Sequence, residues 1–398
     1  MLLQKRAALI KLDRVIQWHI APLKLAHNFL KFGHRRLKAH LGNRCLAHAS
    51  LQLNFPDHTG ASFGVQFTTA RAYAHPMTVV ETSNIELFPE AARAALDKLT
   101  HVTSIALEGH AYSIGAALHL VPNRHAVFQG RFQGQEAVFR LALSPEAQKT
   151  AAQEWDELAR VWPYMNTPPL TVQAPLFHAP EAGLTITALA KGEGLLTALW
   201  RLPPEERAAP IALSADWLYK FTAPSIEARP PNRRPWRSWA EKAAEQQPHD
   251  SLRAVEARVL QKMKKLYRQI DFPEWRVALA HGDFHLNNLF WDGEALTGID
   301  LGATNHAPLY KDIARALVHM ARRGMLPSGA RRFGVDAAAF EAFAQRFQLS
   351  DQEENGFLPY FICFETLIKV EHPDMPQARL NHALAMSDAL LTDLKQIA

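Results

Sequence analysis

Cysteine is nearly absent from this chain of 398 residues: Cys45 and Cys363 are the only two. That is too few for a disulfide framework, and they lie too far apart for a metal knuckle, so a reducing, cytoplasmic setting is expected. No apolar run approaches the length of a membrane span, and no secretory h-region is present. Internal repeats and low-complexity tracts are also lacking. Acidic residues are almost missing from residues 1–55, which hold ten Lys and Arg against the single acid Asp13. The whole chain has 44 basic and 39 acidic residues. The part beyond residue 55 therefore carries 34 basic against 38 acidic, and the net charge of +5 comes entirely from the N-terminal stretch.

In that stretch Leu9, Leu12, Ile16 and Ile20, then Leu23, Leu30, Leu37 and Leu41 beyond Pro22, follow helical spacing. Residues 1–48 are expected to form a basic amphipathic helical arm. Such an arm could place residues 1–45 as a peripheral contact on the anionic inner face of a membrane, touch nucleic acid, or act as an import signal. No Ser occurs before Ser50, which weakens the import reading. The preferred expectation is two helices packed on the part that spans residues 105–190, with their cationic face in water, and no nucleic-acid partner. Residues 49–104, with alternation over Ser62–Thr68 and a helix from Pro89 to Leu99, read as a small strand-rich extension without evident chemistry.

The richest chemistry lies in His281-Gly282-Asp283-Phe284-His285-Leu286-Asn287-Asn288, followed by Ile299-Asp300-Leu301-Gly302. An Asp, an Asn five positions on and a second Asp after the next strand are the groups that a phosphoryl-transfer site needs. One carboxylate, Asp283, orients and takes the proton of an attacking hydroxyl. An amide oxygen, Asn288, and another carboxylate, Asp300, hold Mg²⁺ against nucleotide phosphates. Leu289–Trp291 and Ala295–Ile299 read as short strands around Asp292-Gly293, a type I′ turn signal, and antiparallel pairing would bring Asn288 and Asp300 together. His281 and His285, four apart, could instead suggest zinc. A zinc site would want a further cysteine or histidine at matched spacing, and the nearby carboxylates suit hard cations better.

These residues resemble the aminoglycoside phosphotransferase and choline kinase-like enzymes, whose signature is H-G-D-x-H-x-x-N followed by I-D. The resemblance spans roughly residues 105–395 and includes Asp312 in Lys311-Asp312-Ile313-Ala314. It implies an α+β fold of two lobes like a protein kinase, with an antiparallel-sheet small lobe over residues 105–190 and a mainly helical large lobe over 191–398. It also implies ATP and Mg²⁺ as cofactors. His281, His285 and Asp312 would support the catalytic loop, with His285 alternatively bordering the substrate. Upstream, Val121–His125 takes the place of a small phosphate turn carrying Asn123, although glycines are missing from it. The strand Ala137–Arg140 offers Arg140 where a lysine is more usual, a difference that matters because a guanidinium is planar and forked. Glu154, on a helix started by Ser144-Pro145, would pair with that cation. Leu189 and Lys191 would lie at the hinge beside adenine.

Helices over Ala212–Phe221 and Ser251–Ile270 frame an Arg- and Pro-rich run, Ala228–Trp236, expected as a solvated loop. In the C-terminal third Asp351, Glu353, Glu354, Glu365 and Glu371 could attract a cationic acceptor, although Ser350 and Glu353 are also spaced as a capping box. The expected activity is phosphorylation of a hydroxyl on a small molecule such as an aminoglycoside, an amino alcohol or a sugar. Two alternatives are a membrane-associated kinase of a lipid-linked or envelope sugar and a pseudokinase that binds nucleotide or a partner without turnover. Oligomeric state is not legible.

Overall fold

The computed structural model describes residues 50–53, 65–68, 89–269, 272–302 and 305–397. The chain forms two compact units, residues 1–77 and 78–398. The arm anticipated over residues 1–48 lies outside the described residues. In the first unit β1 (Ser50–Leu53) pairs antiparallel with β2 (Val65–Thr68), Leu51 opposite Phe67.

The second unit begins with α1 (Pro89–Ala106), which runs across residues 104 and 105 and puts Ala95 and Leu99 into the same core as Leu120, Phe128 and Phe139. Five antiparallel strands follow in the order β3, β4, β5, β9, β8. These are β3 (Tyr112–Val121), β4 (His125–Phe132), β5 (Gln135–Ala142), then, after α2 (Pro145–Val161), β6 (Asn166–Thr167) and β7 (Leu170–Val172), β8 (Pro175–Ala179) and β9 (Leu184–Ala188). The turn between β4 and β5 holds Gln133 at φ 50° and Gly134 at φ 84° between the paired Phe132 and Gln135. Two positive φ angles in a two-residue loop suit the twist of a tight hairpin. Along β5, Ala137, Phe139 and Leu141 are buried while Val138 and Arg140 face the other way, so the period of two alone directs Arg140 away from the core. Ser144 caps α2 by accepting from the amide of Ala147 at 3.2 Å.

The mainly helical lobe contains β10 (Glu193–Gly194), α3 (Leu195–Arg201), α4 (Ala208–Thr222), β11 (Glu227–Arg229), α5 (Arg234–Ala244) and α6 (Asp250–Gln269). It continues with β12 (Trp275–Leu279), β13 (Leu289–Trp291), β14 (Leu296–Gly298), β15 (His306–Pro308) and α7 (Leu309–Ala321). After β16 (Arg331–Arg332) and β17 (Val335–Asp336) come α8 (Ala337–Phe347), α9 (Leu358–Ile368) and α10 (Gln377–Ile397). Ten of the eleven residues of α9 are buried. With each fully enclosed Leu, Ile or Phe contributing about 1.5–3 kcal/mol, α9 is the spine around which α5, α6 and α7 pack. The fold is therefore α+β, a two-lobed kinase-like arrangement.

Two expectations change. The run over residues 228–236 is not a free loop: Glu227–Arg229 pairs with Trp275–Val277 as an edge strand, and α5 starts at Arg234. Arg233 lies over the Tyr267 ring at 4.9 Å and donates to the Tyr267 carbonyl at 2.9 Å, so cation–π attraction and a hydrogen bond order the run. The β13–β14 hairpin is not a two-residue turn either. Trp291 pairs with Leu296 across four residues, and the Asp292 carboxylate accepts from the amides of Glu294 and Ala295 at 3.0 and 2.8 Å. An Asx-type turn outcompetes the type I′ geometry.

Close backbone approach decides two glycines. A Cβ on Gly192, already at φ 83°, would overlap the Trp291 carbonyl, and one on Gly298 would overlap the indole of Trp217. Trp217 in turn stacks on Phe221 at 5.2 Å and on Phe284 of the loop between β12 and β13 at 5.7 Å, pairs worth about 0.5–1.5 kcal/mol each beyond area burial.

Candidate active site

The loop between β12 and β13 is shaped by short-range bonds before any charge is considered. Gly282 has φ 85°, a 3₁₀ turn spans Leu286–Asn288, and the Asn288 side-chain amide donates to the Asp283 carbonyl at 3.0 Å. That bond uses the amide nitrogen and leaves the Asn288 side-chain oxygen as the atom available to a cation. The Ile299 amide donates to the Asn288 carbonyl at 2.9 Å, which joins the end of the hairpin to the loop. Asp300 follows at φ 56°. Left-handed backbone is costly for a residue with Cβ, although Asp tolerates it better than most.

On the small-lobe side Arg140 meets Glu154 at 2.6 Å and Asp300 at 3.4 Å. Strand β5, helix α2 and the segment after β14 thus converge on one guanidinium. Burial raises the Glu154 carboxyl above its ordinary pKa, and the charge of Arg140 only partly offsets this. Arg140, Glu154 and Asp300 line a recess of about 60 Å³ together with Trp155, Gln173 and Thr185. Asn123 takes φ 60° in the turn between β3 and β4. The neighbouring His125 is pushed down to about 4 by burial and then by the charge of Arg140. Leu189 donates its amide to the Glu136 carbonyl at 3.1 Å, and Lys191 is exposed; among the described residues neither enters the charged clusters.

The loop of residues 280–288 rests on α7. Asp312, buried, accepts from the amides of His281 and Gly282 at 2.8 and 3.3 Å. Lys311 donates to the Gly282 carbonyl at 2.8 Å. One turn on, Arg315 donates to the same oxygen of Asp283 from Nε at 2.9 Å and from Nη2 at 2.5 Å, and from Nη1 to Glu365 at 3.2 Å. Burial acts to raise the Asp283 carboxyl, but the hydrogen bond and charge from His285 and the charge of Arg315 prevail and hold it well below the usual carboxylate range. His281 is buried among Trp217, Phe221 and Phe284 at 5.8–5.9 Å between ring centroids. Burial lowers its pKa, so a neutral ring fits that aromatic cage. The His285 ring stacks on His319 at 4.4 Å and brings Nε2 to 3.5 Å from the second Asp283 oxygen.

The C-terminal acids need correction as acceptor-recruiting charges, because four of the five are committed to arginines. Glu365 is enclosed against Arg315 and Lys311, Glu371 pairs with Arg322 at 2.8 Å, and Glu354 pairs with Arg332 at 2.7 Å. Glu353 binds Arg276 at 2.6 Å and Tyr310 at 2.7 Å while also completing the capping box with Ser350. The sequence reading missed Lys311 and Arg315. The available signal was two cations flanking Asp312 at helical spacing in an otherwise apolar stretch.

A two-lobed fold whose loop carboxylate, amide and second carboxylate lie below a strand cation and a helix glutamate belongs to the kinase-like phosphotransferases as a class. The family model described as the phosphotransferase enzyme family matches residues 131–347, more than half of the chain. The chain belongs to that family, and it is an enzyme that transfers phosphoryl groups. Among curated proteins none matches it. Similar solved structures include a glucosamine kinase bound to glucosamine, ADP and inorganic phosphate, at 15% identity over 74% of this chain and 82% of that one, TM-score 0.45. An ethanolamine kinase of Plasmodium vivax is 11% identical over 76% and 90%, TM-score 0.46. A microcompartment-associated aminopropanol kinase is 13% identical over 76% and 97%, TM-score 0.46. Likeness at this level carries no substrate across.

Proposed function

We propose that the enzyme transfers the γ-phosphoryl group of ATP to a hydroxyl of a small molecule, in the range of amino alcohols, sugars and aminoglycosides. What supports this is a chain of contacts: Arg140, held by Glu154, meets Asp300, the Ile299 amide beside Asp300 donates to the Asn288 carbonyl, and the Asn288 side chain donates to the Asp283 carbonyl. Asp283 orients the acceptor hydroxyl and receives its proton as the new O–P bond forms and the bridging bond to the nucleoside diphosphate breaks. Arg140, held by Glu154, offers paired donors to phosphate oxygens. Phosphoryl transfer asks mainly for placement and charge compensation, which this set of groups can supply without a covalent intermediate.

Asn288 and Asp300 suit Mg²⁺. The free amide oxygen and the carboxylate are hard donors, and among the described residues there is no cluster of three or more His, Cys, Asp or Glu that could make a protein-only metal cage. Magnesium ordinarily takes one or two carboxylates, with phosphates and water completing its shell. When bound it would neutralise charge on the phosphates.

The test is a phosphotransfer screen with MgATP across aminoglycosides, amino alcohols and sugars, reading acceptor-dependent formation of ADP and of a phosphate ester. Acceptor-dependent turnover that is lost in Asp283→Asn supports the reading. Nucleotide binding without transfer to any of these acceptor classes would overturn this range of acceptors.

A further inference from the structure

The support beneath Asp283 extends one layer deeper than the loop motif. Arg315 spends two of its donors on a single Asp283 oxygen, Nε at 2.9 Å and Nη2 at 2.5 Å. This leaves the other oxygen free of Arg315, 3.5 Å from the His285 Nε2, on a side chain that is 47% exposed. The third donor, Nη1, goes to Glu365 at 3.2 Å, whose side chain is 1% exposed and sits in the middle of α9. The second Glu365 oxygen lies 3.8 Å from Lys311, which also holds the Gly282 carbonyl. A chain of contacts thus runs from the central helix through Arg315 and Lys311 to both the side chain and the backbone of the catalytic loop.

The arrangement is more than charge balance. A guanidinium is planar, and with one edge committed to Asp283 and the other nitrogen to an enclosed carboxylate, its plane has little freedom to turn. An isolated carboxylate can rotate about its last torsion and present either oxygen. One whose first oxygen is held by two donors presents the second alone.

We infer that Arg315, anchored by Glu365, is the positioning residue of Asp283. It selects the carboxylate oxygen that meets the acceptor hydroxyl and fixes its direction. The inference rests on the proposed role of Asp283 in phosphoryl transfer. It deepens that role by making the reactivity of the site depend on a contact between α7 and α9 that touches neither nucleotide nor acceptor.

The experiment compares the full chain with Arg315→Ala, Arg315→Lys and Glu365→Gln by steady-state kinetics and by amide hydrogen exchange of residues 281–288. Arg315→Ala should lower kcat roughly 10²-fold, the scale on which a misplacement of about 1 Å acts. The nucleotide KM should stay unchanged, and exchange in the loop should quicken. Guanidinium ion at non-denaturing concentration should restore part of the lost rate. Arg315→Lys, which keeps the charge without the fork, and Glu365→Gln, which keeps the shape without the charge, should fall between wild type and Arg315→Ala. Unchanged kcat with unchanged loop exchange would overturn the inference, and so would a parallel loss of nucleotide affinity and melting temperature without guanidinium rescue. If the wild-type chain transfers phosphate to no acceptor, the proposed function fails. Loop exchange in the same variants still decides whether Arg315 positions Asp283.

Discussion

The two ends of the proposed site, for nucleotide and for acceptor, hold their charges in different ways. At the nucleotide end Arg140, Glu154 and Asp300 form a single layer in which each group is partly in water and Asp300 is 51% exposed. At the acceptor end Asp283 is similarly open, 47% exposed, but the groups behind it, Glu365 and Asp312, are 1% and 2% exposed. A half-exposed ion pair such as Arg140–Asp300 is worth about 0–1 kcal/mol, so it can be exchanged for metal and phosphate at small cost. Breaking a buried pair is far more costly, about 3–5 kcal/mol, because it strands a charge. The nucleotide end is therefore easily rearranged, whereas the acceptor end is built in advance of its ligand.

The largest effect should come from the preorganised end. Asp283→Asn preserves shape but removes the carboxylate proposed to receive the acceptor proton, so turnover should fall roughly 10²-fold or more. Nucleotide binding should persist, since the Asp283 side chain is tied to Arg315 and not to Arg140. Near-wild-type turnover in this variant would erase the difference between the two ends and remove Asp283 from its role. At the softer end Asp300→Ala should weaken the affinity for MgATP by about tenfold, equivalent to about 1.4 kcal/mol, because the remaining Asn288 oxygen is neutral. Calorimetry with and without Mg²⁺ measures it. Equal affinity and equal metal dependence would take Asp300 out of the site.

The parts of this site that were legible in the sequence are those fixed by local rules. The loop from His281 to Asn288 and the hairpin that delivers Asp300 are nearly contiguous, and β-alternation alone turns Arg140 away from the core. The strand that carries Arg140 was legible for the same reason, as was the Ser144-Pro145 start of α2. Arg315 and Glu365 were not, because their meeting is set by how α7 packs on α9, across 50 residues of sequence, and no periodicity reports such a crossing. Glu365 is the instructive case: read by composition, it belonged to an acidic group suited to drawing a cation from solution. Read by packing, it lies enclosed on α9 and answers an arginine already there. The Asp292 turn escaped for a smaller reason, since a side chain that caps its own loop competes with the turn type that the dipeptide favours.

The smallest predicted effect returns to the nucleotide end and uses pH. His125, at the start of β4, titrates near 4 in the folded chain because it is partly buried and stands beside the charge of Arg140, with His119 and Arg124 adding to the repulsion and Asp300 opposing it. In the unfolded chain its pKa is near the ordinary value of about 6.5. Above that pH the ring is neutral in both states and contributes nothing. As pH falls from about 6.5 toward 4 the unfolded chain binds the proton and the folded chain does not, so stability is lost across that window and levels off below it. Solvent at the partly exposed ring screens the effect to about 1 kcal/mol. Glu154 acts with the opposite sign, because its raised carboxyl takes up a proton more readily in the folded state and favours folding as pH falls. Subtracting the pH profile of His125→Asn from that of the wild type cancels the Glu154 contribution. Denaturant unfolding at pH 7.5 and pH 5 should therefore show the wild type losing more stability than His125→Asn, by about 1 kcal/mol. Equal losses would mean that burial and the charge of Arg140 do not together hold the ring in its neutral form.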